Sequence, residues 1–107
     1  MIFIVVKFAV TPQWVQRWPQ LVAGFTAATR AEPGNLWFEW SRSLDDPCQY
    51  VLVEAFRDAD AGSAHVNSEH FKTAMVDMRQ ALASTPKIIS QQIDASDWSD
   101  MGELKIG

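Results

Sequence analysis

The chain alternates β-branched, aromatic runs with stretches whose apolar residues recur every three or four positions. Ile2 to Val10 reads as a strand. Thr11 and Pro12 follow as an N-cap and a proline at the first helical position. Trp14, Trp18, Leu21, Phe25 and Ala28 then make one apolar helical stripe. Pro19 inside that stripe predicts a kink, because it has no N–H for the carbonyl of Val15. Glu32-Pro33-Gly34 stops the helix.

Leu36 to Arg42 and Tyr50 to Phe56 read as two more strands, and Asp45-Asp46-Pro47 between them predicts an antiparallel hairpin. A short helix is capped by Asp58 and a second by Ser68, with Phe71, Met75, Met78 and Leu82 on the inner face of the latter. Pro86 ends it, and Lys87 to Ile93 supplies a fourth strand. The order is β-α-β-β-α-β with the second helix split. That predicts an α+β, ferredoxin-like split β-α-β fold: a four-stranded antiparallel sheet with helices on one face. Residues 1–94 form the domain, and 95–107 a polar tail. Trp98, Met101, Leu104 and Ile106 predict that this tail docks on its own or on a partner subunit.

Both faces of the predicted sheet are apolar. Phe3, Val5 and Ala9 oppose Ile2, Ile4, Val6, Phe8 and Val10; Leu36, Phe38 and Trp40 oppose Asn35, Trp37 and Glu39. Tyr50, Leu52 and Phe56 oppose Val51, Val53 and Ala55. A sheet with helices on one side and water on the other should instead alternate. One chain of 107 residues has no spare layer for the second face, so a homodimer packed sheet against sheet is expected.

Composition narrows the function. A net charge of −4 with scattered lysines and arginines gives no basic patch for phosphate, so nucleic acid is not an expected partner. Cys48 is the only cysteine, which rules out an intrachain disulfide. The apolar opening is cut by Lys7, too short for a membrane span and without a signal peptide's basic lead, so a cytoplasmic address is expected. Two histidines and a distant cysteine lack metal-ligand spacing, so no metal is expected, and no nucleophile elbow points to a hydrolase. Five tryptophans and six phenylalanines are enough to build a core, an interface or a slot for a flat ligand.

Thr29-Arg-Ala-Glu-Pro-Gly34, Asp45-Asp-Pro47, Val51-Leu-Val-Glu54 and Ala64-His-Val-Asn-Ser-Glu-His-Phe71 resemble, in order and spacing, the antibiotic biosynthesis monooxygenase (ABM) domain. That resemblance implies a dimeric α/β barrel related to quinol and anthrone oxygenases. It also implies oxygen insertion into a planar phenolic substrate with no metal, haem or flavin. Relatives that degrade haem use a histidine, an asparagine and a tryptophan where this chain has Met75, Lys7 and Phe56, which disfavours that activity; methionine can still ligate haem iron, so binding is left open.

The candidate residues each carry two readings. His65 is the proposed proton acceptor, or else a histidine bonded to backbone near a helix end. His70, in the first turn of a helix, is structural or reaches the pocket rim. Asn35 steadies an oxyanion or completes the turn after Gly34. Trp37 and Trp40 project to opposite faces, and Trp37 with Phe71 is the expected ring sandwich. Phe71 and Met75 are otherwise helix core. Glu39 and Glu54 are acids within strands, read either as paired with Lys7 or Arg57 or as lining a cavity. The expected activity is a cofactor-independent monooxygenase. The alternatives are a non-catalytic dimer that binds small aromatic ligands, or an isomerase of a small carbonyl compound.

Overall fold

The computed structural model describes residues 1–107. Strand β1 is Ile2–Ala9, β2 Asn35–Arg42, β3 Gln49–Phe56 and β4 Lys87–Gln92. They form one antiparallel sheet in the order β2-β3-β1-β4. Four helices, α1 (Trp18–Leu21), α2 (Ala23–Arg30), α3 (Ala59–Val66) and α4 (Glu69–Asp77), complete the ferredoxin-like fold read from the sequence.

Strand register decides what each face carries. Ile4, Val6 and Phe8 of β1 lie opposite Glu54, Leu52 and Tyr50 of β3, and Phe38 and Trp40 of β2 join the same face. The helices pack here, and Trp18, Val22, Phe38, Leu52, Met78 and Phe8 are among the buried core residues. The reverse face presents Phe3, Val5, Lys7, Trp37, Glu39, Val51, Val53 and Ile89. Nothing in the chain covers most of it, and Ile89 is 69% exposed.

The first helix departs from expectation. Residues 12–17 form turns, and α1 begins only at Trp18, with Pro19 in its first turn. Thr11 offers its backbone carbonyl to Trp14 and Val15, not a side-chain cap. The missing N–H of Pro19 leaves the Val15 carbonyl without a helical donor, and Tyr50 Oη donates to it at 2.7 Å. Pro19 therefore starts a helix instead of kinking one.

Strand β2 differs too. Asn35 pairs with Phe56 and Trp37 with Ala55, so Leu36 is the extra residue of a bulge and turns outward, 41% exposed. It does not share the inner face with Phe38 and Trp40. The caps at Asp58 and Ser68 form as expected: Asp58 Oδ1 accepts from Ala61 N at 2.8 Å and Ser68 Oγ from Phe71 N at 3.2 Å. The tail folds back only far enough for Trp98 to meet Trp37, with ring centroids 5.2 Å apart. Trp98, Met101, Leu104 and Ile106 stay exposed. No helix is long and apolar enough to cross a membrane.

Candidate active site

Four side chains from four elements converge beneath the helices. His65 comes from the last turn of α3, His70 from the first turn of α4, Glu54 from β3, and Glu32 from the turn between α2 and β2. Ser68 holds the two histidines in register, because its Oγ donates to the His65 carbonyl at 2.6 Å while capping α4. Asn67 spends its amide on Ser63, which fits junction chemistry.

Glu32 is fixed by its turn. Its N–H donates to the Thr29 carbonyl, and its own carbonyl accepts from Asn35 N. Gly34 is buried against α3, and a Cβ there would run into the Cβ of Ala61. Glycine is required by this close approach. Asn35 follows, and its amide nitrogen donates to the carbonyls of Trp37 (3.0 Å) and Ala55 (3.3 Å). Both amide hydrogens close the bulge, so the expected oxyanion donor has none left for a ligand.

One carboxylate oxygen holds both rings. Glu32 Oε2 lies 2.8 Å from His65 Nδ1 and 2.5 Å from His70 Nε2. On the far side of the His65 ring, Nε2 is 3.8 Å from Glu54 Oε1. The partner of Glu54 is thus a histidine, neither Lys7 nor Arg57. Phenylalanines enclose His65: Phe56, Phe71, Phe25 and Phe38 have centroids 4.7, 5.1, 5.7 and 6.2 Å from its ring. Burial of its own side chain, and secondly the nearby Glu32 carboxylate, push the Glu54 carboxyl up from 4.5 to about 7.

The same three donors, Glu32, His65 and His70, lie within 4.8 Å of one another, a grouping that sequence spacing did not reveal. Glu32 Oε2 is bonded to both rings at 2.8 and 2.5 Å, closer than the roughly 3.3 Å between neighbouring ligands of a tetrahedral zinc ion. As it stands, the Glu32 carboxylate is the shared hydrogen-bond partner of both rings.

A cleft of about 310 Å³ opens between α2 and α4, with Leu21, Phe25, His70, Thr73, Asp77 and Met78 on its walls. His70 is the one member of the cluster that lines it, and its Nδ1 has no protein partner. His65, only 4% exposed, does not. His65, the proton acceptor expected from the sequence, thus lies behind His70 and off this cleft. Phe71 packs on His65 and Phe25, and Met75 is half-buried against the core.

The tryptophans separate as expected, with consequences. Trp40 faces the helices, where Nε1 donates to Thr26 Oγ1 at 2.8 Å and the ring meets Phe8, Trp18 and Phe38. It borders a second cleft of about 350 Å³ with Trp18, Tyr50 and Arg30. Trp37 lies on the reverse face against Trp98, so it cannot sandwich a ring with Phe71. Phe25 is the aromatic wall instead. Sequence reasoning took Phe25 for ordinary core and Glu32 for a helix stop. The signal was an acid at a helix C-terminus, where the dipole disfavours it and another role must compensate.

The family model for antibiotic biosynthesis monooxygenase matches residues 1–77. The chain belongs to this family. Solved structures agree in fold. A candidate antibiotic biosynthesis monooxygenase of Nitrosomonas europaea superposes with a TM-score of 0.81 at 23% identity, covering 89% of this chain and 100% of its own. One of Deinococcus radiodurans gives 0.82 at 20%, covering 95% and 100%. One of Caulobacter crescentus gives 0.81 at 26%, covering 90% of each. None of the curated proteins matches the sequence. Membership in the ABM family supports monooxygenase-type chemistry in general.

Proposed function

We propose that this ABM protein is a monooxygenase for a planar phenolic substrate of the quinol or anthrone type, using molecular oxygen and no metal or organic cofactor. The observation that carries the reading is His70: a base on the wall of an apolar cleft, hydrogen-bonded through Glu32 to a buried second histidine. A phenol or anthrone that loses a proton becomes electron-rich enough to pass an electron to oxygen directly, and the protein need supply only a slot and a proton path.

In this reading His70 Nδ1 takes the substrate proton while Nε2–H stays hydrogen-bonded to Glu32. The resulting imidazolium, or the Glu32–His65 pair behind it, holds the charge beside the developing anion. His65, expected from sequence as the base, acts at second hand. Phe25 and Met78 keep water from the reacting ring. The balance is closed: the anthrone methylene becomes a carbonyl, one oxygen atom enters the product, and the other leaves as water with the two hydrogens. The second subunit of a homodimer covers the bare sheet face.

Oxygen uptake with a reduced naphthoquinol and with an anthrone tests this. His70→Gln, folded as judged by circular dichroism, should lose about a hundredfold in rate, the usual size of general-base catalysis. A folded His70→Gln protein with an unchanged rate would remove the assignment.

A further inference from the structure

Glu32 and Glu54 flank the His65 ring with side chains only 14% and 7% exposed, and neither pairs with a lysine or an arginine. Buried acids call for positive charge beside them, and here only imidazoles stand there. A His65 nitrogen, a His70 nitrogen and a Glu32 oxygen lie within 4.8 Å of one another. Shifts of about 1 Å or less in each group bring them to the roughly 3.3 Å edges of a tetrahedron and leave its fourth corner open. Two imidazoles and one carboxylate suit zinc, cobalt or copper, whereas magnesium and calcium take oxygen ligands.

The surroundings fit an ion as well. Glu54 Oε1 faces His65 Nε2 at 3.8 Å, the position of a carboxylate that orients a ligating histidine. Phe56 and Phe71 pack on the same ring and give the site an apolar shell. His70, on the cleft wall with its side chain 27% exposed, gives the ion a way in.

A neutral imidazole carries one proton on two nitrogens. Without an ion, His65 Nδ1–H and His70 Nε2–H both donate to Glu32, and His70 Nδ1 keeps a free lone pair. An ion held by those two inner nitrogens takes their lone pairs, so each ring's proton moves to its outer nitrogen. His65 then presents Nε2–H to Glu54, and His70 presents Nδ1–H where it had an acceptor. We infer that Glu32, His65 and His70 form a site for a divalent transition-metal ion, and that the bound ion turns His70 Nδ1 from proton acceptor into donor and stops turnover. The ion site stands on the cluster alone; the stop rests on the proposed function.

The test uses the full untagged chain, stripped with a chelator. Calorimetry with zinc should show one ion per chain, and cobalt in its place should give the intense visible absorption of a tetrahedral centre. Glu54→Gln should weaken zinc about tenfold to a hundredfold, the usual size of an outer ligand-orienting loss, and His70→Gln should weaken it further. Nitrogen NMR of the labelled rings should show the proton of His70 on Nε2 without zinc and on Nδ1 with it. Zinc that fails to bind, or that binds with both histidine signals unmoved, would overturn the site. Oxygen uptake should fall about a hundredfold on loading and return with chelator. Uptake unchanged in the loaded protein would overturn the stop. A stripped protein that binds zinc as described but never takes up oxygen would remove the proposed function and leave the ion site standing.

Discussion

Replacing Glu54 with glutamine isolates the electrostatic strain beneath the cleft. The Glu54 side chain is 7% exposed, and burial together with Glu32 raises its carboxyl from 4.5 to about 7. At about 1.4 kcal/mol per pH unit, that difference amounts to roughly 3 kcal/mol set against the ionised form in the folded chain. Its sign follows from linkage. The folded chain holds this proton more tightly than the unfolded one, so the contribution is complete below about 4.5 and is lost as pH rises through about 7. Glutamine has the shape of the protonated acid and cannot ionise. Urea unfolding at pH 5 and at pH 8.5 should therefore give a difference between parent and Glu54→Gln that shifts by about 2.5 kcal/mol in favour of the variant at the higher pH. A difference that stays constant across this range would refute the argument, because the Glu54 carboxyl would then titrate alike in both states.

Three further substitutions probe the scaffold around the site. Glu32→Gln removes the charged acceptor shared by His65 and His70, and should cost about 1–3 kcal/mol in urea unfolding while slowing oxygen uptake. Gly34→Ala drives a methyl group into Ala61 and should cost about 1–3 kcal/mol, with most of the loss recovered when Ala61→Gly is added. Tyr50→Phe leaves the Val15 carbonyl without its donor and should lower stability by about 1 kcal/mol, measured by the same unfolding curves.

Periodicity in the sequence was sufficient for the sheet, the hairpin, and the caps at Asp58 and Ser68, because those features are written in neighbouring residues. It failed at residues 12–17, where two prolines with a helical stripe between them read as one helix. There Pro19 has no N–H to give the Val15 carbonyl, and a tertiary hydrogen bond from Tyr50 satisfies it instead. The bulge at Leu36 was equally invisible, since it depends on Asn35 reaching the carbonyls of two strands. Of the site, both histidines and the unusual acid in β3 were legible as chemistry. Their grouping was not, because Glu32 lies 33 residues from His65 and 38 from His70 in the chain. Which histidine meets the cleft is a matter of burial, and burial separates two rings that sequence places five residues apart. The same applies to Trp37 and Trp40, whose opposite faces were predicted but whose neighbours, Trp98 and Thr26, come from distant segments.

The central claim is that oxygen enters the product from the gas. Turnover of an anthrone under labelled dioxygen, ¹⁸O₂, followed by mass spectrometry of the quinone, tests it most directly. The account predicts one labelled atom per product molecule in the newly formed carbonyl and the other in water, with the rate falling about a hundredfold in His70→Gln. Unlabelled product formed at the parent rate would contradict it, since oxygen would then serve only as an electron acceptor or take no part at all.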